Sequence, residues 1–117
     1  MRFRLLLALT TIAACGGGGS DSTPTNPITP PTPIATTSVG LQNSLFDPSA
    51  IVVSPSAVVT FTNNDGITHN VIFNNQNIAS ITEWASGART TTMPATPGTY
   101  SYTCTIHAGM SGTVKVQ

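Results

Sequence analysis

YSYTCTIHAGM, residues 100–110, is the stretch that decides the fold of this chain. Its first half alternates like a β-strand, so Tyr100, Tyr102 and Cys104 fall on one face and the residues between them fall on the other. We therefore expect the Cys104 sulfur to point inward, at the end of a buried row of aromatic rings. A short loop follows the strand and brings an imidazole and a thioether near the sulfur, at His107 and Met110.

Short β-like runs separated by turn signals make up the rest of the C-terminal part of the chain. The strands that we predict are residues 37–41, 50–53, 57–62, 68–73, 89–93, about 100–104 and 113–117. Residues 74–87 fit either one or two helical turns or a loop that buries three apolar anchors, Ile78, Ile81 and Trp84. About seven short strands without a long helix predict an all-β protein, an antiparallel Greek-key β-sandwich.

The N-terminal segment has the features of a signal peptide. Met1–Arg4 is basic, and Leu5–Ala14 is an apolar run that is too short to anchor the chain across a bilayer. The run ends in small residues before Cys15, a pattern that resembles the cleavage box of bacterial lipoproteins. On this interpretation residues 1–14 are removed and Cys15 is lipidated. The alternative is an ordinary secretory signal followed by an incidental cysteine.

Residues 15–35 consist mostly of Gly, Ser, Thr and Pro and hold little that a core could bury. We interpret them as a disordered stalk that starts at the lipidated Cys15, although a Pro-rich ligand for a partner domain would have a similar composition. Residues 36–117 then form a single folded domain. These assignments predict a membrane-anchored lipoprotein of the bacterial cell envelope, in the periplasm or at the cell surface.

Charge is sparse along the chain, with four basic and four acidic residues among 117. Removal of Arg2 and Arg4 with the signal peptide would leave a mildly acidic mature protein. Nucleic-acid binding is not expected, because it needs a clustered basic face. So few charges are also not expected to steer a partner strongly. We expect the protein to be a monomer.

Only one histidine besides His107 is available, and it is His69. His69 shares a strand face with Val71 and Phe73, so its ring should point into the same interior as the Cys104 sulfur. Taken singly, these residues have plain explanations: a packed histidine, a small apolar cysteine and a methionine that fills space. Together, one thiolate, two imidazoles and a weak thioether are the ligand set of a blue-copper site. Zinc would more naturally collect two or more cysteines, and the folded part has one.

These motifs resemble the cupredoxins, the type 1 blue-copper proteins of the plastocyanin, amicyanin and pseudoazurin group. The resemblance extends over the folded part and is carried by Phe46–Pro48, Val59–Asp65, Thr68–Val71 and Gly98–Gly112. It implies one type 1 copper ion held by four residues: His69, Cys104, His107 and Met110. In the family the imidazoles bind through Nδ1 and the thioether is axial. The resemblance also implies that Asn70 ties the two ligand-bearing segments together by a hydrogen bond.

Four protein donors leave no open position for a substrate, which favours an electron carrier over an enzyme. The resemblance implies single-electron transfer with redox proteins that dock near His107. The apolar patch there would be built from Ile106, Ala108 and Gly109, with Leu41 or Gly40 as further candidates. Ile106 stands where many members have proline, so the loop is expected to be less rigid. Two other functions stay open: copper binding and delivery without electron transfer, and a structural or adhesive lipoprotein without metal.

Overall fold

The structure is a computed structural model, and it describes residues 27–117. These residues form ten β-strands and no helix, and none of them forms a helix long and apolar enough to span a membrane. The strands are β1 (Ile34–Ala35), β2 (Ser38–Gln42), β3 (Leu45–Asp47), β4 (Ala50–Val53), β5 (Val58–Asn63), β6 (His69–Phe73), β7 (Ile81–Trp84), β8 (Gly87–Thr92), β9 (Gly98–Thr103) and β10 (Ser111–Val116). The predicted signal peptide 1–14 and the predicted lipidation site Cys15 lie outside the described residues.

The strands are arranged in two sheets, which confirms the all-β sandwich. The larger sheet has the order β1-β4-β10-β9-β6-β7 and the smaller one has the order β3-β2-β5-β8. Both sheets are mixed rather than purely antiparallel, because β1 and β10 run parallel to β4, and β2 runs parallel to β5. These parallel partners are not joined by hairpins. Between β2 and β5 the chain crosses to β4 in the larger sheet. When it comes back to the smaller sheet as β5, it runs in the same direction as β2.

Aromatic rings fill the space between the sheets around Tyr102, which is 0% exposed. The Tyr102 ring lies 4.8 Å from Phe46, 5.3 Å from Phe61 and 5.2 Å from Phe73 between ring centroids, and the first two contacts are edge-to-face. Such contacts stabilise a core beyond the area they bury. Since Tyr102 precedes Cys104 by two residues on the same face of the chain, this packing gives the thiol a rigid support.

Each predicted strand is present, with ends that differ by no more than two residues. The prediction omitted three short strands, β1, β3 and β7. Strand β1 pairs with β4, so the sheet begins at Ile34, two residues before the predicted start of the domain at residue 36. Neither interpretation of residues 74–87 is fully correct. Ile78, Ile81 and Trp84 are buried, at 3, 7 and 6% exposed, as the loop interpretation required, but Ile81 and Trp84 lie in strand β7 and not in a loop.

Antiparallel pairing brings together the two segments that carry the predicted ligands. Ile72 of β6 lies opposite Thr103 of β9, and Phe73 lies opposite Tyr102. Continuing this register past the ladder places the start of β6 beside the residues that follow β9. The start of β6 is His69 and the next residue after β9 is Cys104, so one end of the larger sheet gathers both.

Candidate metal centre

Three of the four predicted ligands converge at this end of the sandwich. The Cys104 Sγ atom lies 3.8 Å from Nδ1 of His69 and 3.6 Å from Nδ1 of His107. The donor atoms of all three residues lie within 4.8 Å of one another. Donors that bind one transition-metal ion at about 2.0–2.3 Å stand roughly 3.3–3.9 Å apart. The two sulfur–nitrogen distances therefore fit a shared ion.

Burial differs between the two imidazoles. His69 is 0% exposed and Cys104 is 4% exposed, whereas His107 is half-buried. The two rings lie 4.7 Å apart between centroids and are tilted by 52°. Among residues 27–117, Cys104 is a free cysteine. A buried thiol with two imidazoles at its sulfur can supply the strong part of a copper ligand set.

A short loop fixes the positions of His107 and Met110. The Cys104 amide donates a hydrogen bond to the Met110 carbonyl at 3.0 Å, and the Met110 amide donates one to the His107 carbonyl at 3.3 Å. Gly109 has φ of 80°, a backbone conformation that glycine adopts without steric cost. Met110 is 1% exposed at the end of this loop. Met110 is therefore buried at the same end of the sandwich, where the sequence predicts the fourth and weak ligand.

Asn70 links β6 to the ligand loop through both ends of its side-chain amide. Its Nδ2 donates to Thr105 Oγ1 at 2.8 Å, and its Oδ1 accepts from the Thr105 amide at 2.9 Å. Asn70 itself is 6% exposed. These two hydrogen bonds join the residue after His69 to the residue after Cys104, so they hold the two ligand-bearing segments at a fixed separation.

Asp65 is a residue of the site that the sequence did not single out. Its Oδ2 atom lies 2.8 Å from Nε2 of His69, on the side of the ring away from Cys104. Hydrogen bonds from the Ser44 amide, from His69 and from the Asn43 amide lower the pKa of Asp65, against an opposing effect of burial. The available signal was a carboxylate four residues before a histidine, in a turn.

The apolar rim around His107 differs in part from the expectation. Ile106 is 42% exposed, and Ala108 and Gly109 are exposed beside it. Leu41, however, is 0% exposed and cannot contribute to a surface patch. Its position in β2 turns its side chain into the core.

Comparison with known proteins gives consistent matches. A family model described as copper binding proteins of the plastocyanin/azurin family matches residues 35–117. The plastocyanin of Scenedesmus fuscus is 33% identical over 85 residues, a match that covers 62% of this chain and 87% of that protein. The plastocyanin of Prochlorothrix hollandica is 35% identical over 83 residues, covering 62% of this chain and 63% of that protein.

Solved structures agree in fold. The oxidised plastocyanin of Dryopteris crassirhizoma has a TM-score of 0.61 and 26% identity, and the match covers 68% of this chain and 99% of that one. A purple cupredoxin from Nitrosopumilus maritimus also has a TM-score of 0.61, with 20% identity over 68% of this chain and 98% of that one. The second likeness concerns the fold alone.

Proposed function

The chain belongs to the plastocyanin/azurin family of copper binding proteins, and we propose that it is a membrane-tethered blue-copper protein that carries single electrons between redox partners. One observation carries the proposal: two imidazole Nδ1 atoms lie 3.6 and 3.8 Å from one buried thiol sulfur. His69, Cys104 and His107 would hold the ion, with Met110 as a fourth and weaker ligand. When bound, copper supplies a Cu(I)/Cu(II) couple.

The protein's own residues favour electron transfer over catalysis. Asn70 and the Cys104–Met110 hydrogen bond fix the ligand segments, so little needs to move when the charge of the site changes. His69, Cys104 and Met110 are buried, so three of the four ligands are kept from water. With four protein donors the site keeps no open position for a substrate, unlike catalytic metal sites. The family relationship supports the same conclusion, that this chain is not an enzyme.

Electrons would enter and leave through His107, the ligand with an exposed edge. Ile106, Ala108 and Gly109 are exposed in the same loop as His107, and none of them carries a charge. Redox proteins that dock there would bind weakly, through a small apolar contact that releases quickly. Copper delivery remains the competing function, because the same exposed edge would give an acceptor access to the ion.

A copper titration with two cysteine variants tests the proposal. The wild-type protein should turn intensely blue and give a narrow parallel hyperfine splitting in electron paramagnetic resonance, both marks of a thiolate-rich site. Cys104→Ser should lose the colour, whereas Cys15→Ser, the matched control, should keep it. A colourless wild type would contradict the proposal. Rapid electron self-exchange with slow copper loss supports a carrier, and ready copper release to a chelating acceptor supports delivery.

The tether is supported by the sequence of residues 1–15: a basic start, an apolar run and small residues before a cysteine. The same two variants test the tether, with Cys15→Ser as the informative variant and Cys104→Ser as the control. In a bacterial host the wild type and Cys104→Ser should be found with the membranes and should incorporate a labelled fatty acid. Cys15→Ser should do neither. Incorporation of label into Cys15→Ser, or its retention with the membranes, would contradict lipidation at this residue.

A further inference from the structure

The Asp65 carboxylate is bound on both of its oxygens. Oδ1 accepts a hydrogen bond from the Asn43 amide at 2.5 Å, and Oδ2 accepts one from the Ser44 amide at 3.0 Å. The same Oδ2 lies 2.8 Å from Nε2 of His69. Its side chain is 9% exposed, and the contacts of Oδ2 are partly buried while the Asn43 hydrogen bond faces solvent. Carboxylates that accept several hydrogen bonds from charged or main-chain donors are held firmly in place.

The two amides come from the turn between β2 and β3. Asn43 and Ser44 form a two-residue hairpin loop, and their φ angles are 54° and 55°. Positive φ at both central residues is the mark of a type I′ turn. Neither residue is a glycine, so the left-handed backbone conformation costs conformational energy at both positions. The turn binds a carboxylate 21 or 22 residues further along the chain.

Asp65 is also held from its own side of the site. Its amide donates to Asn63 Oδ1 at 3.1 Å. The Asn63 Nδ2 group in turn donates to the carbonyls of Ile67 at 2.8 Å and Trp84 at 3.0 Å. Trp84 is the register partner of His69 in β7. The carboxylate, the loop that carries it and the strand beside His69 therefore form one connected hydrogen-bonded unit.

This geometry determines which nitrogen of His69 carries the proton. An ionised carboxylate can only accept hydrogen bonds, so Nε2 must be the protonated nitrogen of the neutral ring. The lone pair is then on Nδ1, which is the nitrogen that faces the Cys104 sulfur. A carboxylate on the far nitrogen also makes the imidazole a stronger donor to a metal.

We infer that Asp65 is a positioning residue that sets the tautomer, the orientation and the donor strength of His69, and that the Asn43–Ser44 turn is thereby part of the metal centre. The effect on tautomer and orientation belongs to the metal-free protein. The effect on donor strength rests on the proposed function. A stronger imidazole donor favours the more highly charged Cu(II), so the carboxylate lowers the reduction potential of the loaded protein.

Two substitutions separate these effects. Asp65→Ala removes both the acceptor and the charge. Asp65→Asn removes the charge but keeps one oxygen, which can turn toward Ser44 and His69, where two donors meet. Its NH2 group then faces the exposed Asn43 amide, a second donor, which must bond to solvent instead. Glu83→Gln is the matched control, because it removes one negative charge from an exposed residue in β7, the strand paired with His69.

The first measurement is the ring nitrogen spectrum of ¹⁵N-labelled metal-free protein, at a pH where both imidazoles are neutral. His69 of the wild type should show the Nε2–H tautomer alone, and Asp65→Asn should keep it. Asp65→Ala should show a mixture of the two His69 tautomers, while its His107 signals stay as in the wild type. The His69 signals of Glu83→Gln should also equal those of the wild type. A His69 spectrum of Asp65→Ala that equals the wild type would overturn the inference.

The second measurement is the reduction potential of the copper-loaded wild type, Asp65→Asn and Glu83→Gln, so it does not depend on the folding of the alanine variant. Asp65→Asn should have a more positive potential than the wild type, and the shift should exceed that of Glu83→Gln. Equal shifts would overturn the role in donor strength. Failure of the proposed function would be recognised separately, because the loaded wild type would then lack its blue colour while the metal-free spectra still report the tautomer.

Discussion

His69 is bound on both sides of its ring, and this makes it the most constrained side chain of the centre. Nδ1 lies 3.8 Å from the Cys104 sulfur and Nε2 lies 2.8 Å from Asp65. The ring itself is fully buried. An imidazole held in this way has little freedom to rotate when a metal arrives or leaves. His107, by contrast, is half-buried and is positioned by a loop rather than by a strand.

Asn70 should contribute strongly to the stability of the metal-free protein. Asn70→Ala removes two hydrogen bonds to Thr105 at a buried position, and we expect it to lower the free energy of unfolding by about 2 kcal/mol. Asn74→Ala is the matched control, since Asn74 donates an exposed hydrogen bond to Ser101 of the same strand pair. Its cost should stay within about 0.5 kcal/mol.

Urea unfolding of the metal-free variants measures both values. Equal losses of unfolding free energy for Asn70→Ala and Asn74→Ala would mean that the buried Asn70–Thr105 pair stabilises the fold no more than an exposed hydrogen bond does. In the copper-loaded form Asn70→Ala should also lose its ion faster than the control, because the two ligand segments are then no longer tied side by side.

The identity of the donors was predictable from residue types, whereas the support for them was not. A thiol, two imidazoles and a thioether form a recognisable chemical set, and the chain holds few alternatives to it. Asp65 could not be recognised in the same way. Its role depends on the main-chain amides of Asn43 and Ser44, and only the fold brings that turn against the loop before His69.

At the scale of strands, the alternation of apolar and polar residues predicted the longer half-buried strands but not their partners. Strand β5 shows the buried and exposed pattern of a half-buried strand, and Val59 and Phe61 are both 0% exposed. Strands β1 and β3 have only two and three residues, too few to show a period. The pattern of one strand also does not reveal its neighbour. The parallel pairs were therefore missed, since they depend on how the chain passes between the sheets.

The pairing of β9 with β10 depends on a missing side chain at Gly112. Gly112 lies opposite Tyr102 in the register, and a Cβ atom there would lie 2.4 Å from the Tyr102 hydroxyl oxygen and 2.5 Å from its Cζ atom. Gly112→Ala must displace a ring that packs against three others, so we expect a loss of about 1–3 kcal/mol in the free energy of unfolding. Displacement of Tyr102 should also disturb the nearby Cys104.

Gly98→Ala is the matched control for this prediction. Gly98 lies in β9, and its Cβ would meet Tyr100 no closer than 3.6 Å, an ordinary contact. The control should therefore unfold close to the wild-type midpoint and keep the wild-type colour with copper. A Gly112→Ala protein as stable as Gly98→Ala would show that the Tyr102 ring has room to move, and that the aromatic core is looser than its contacts indicate.

At the scale of the whole molecule, the centre joins segments that are far apart in the sequence. His69 and Cys104 are separated by 35 positions, and the loop to Met110 completes the set. The folded part is also small, and a domain of this size buries only roughly 60–65% of its unfolded surface. An ion held by both segments would therefore bridge the end of the sandwich and add to a modest intrinsic stability.

Copper should stabilise the folded domain by mass action, because only the fold brings His69 to the donors of residues 104–110. At free copper of about 1,000 times the dissociation constant, the gain in the free energy of unfolding should reach up to about 4 kcal/mol, reduced by any binding of copper to the unfolded chain. Thermal unfolding with Cu(I) under anaerobic conditions measures it without oxidising the thiol. Cys104→Ser should lose most of the gain while Cys15→Ser keeps it. If Cys104→Ser gained as much as the wild type, the bound copper would be held elsewhere on the chain, and convergence of the three donors would be a feature of packing alone.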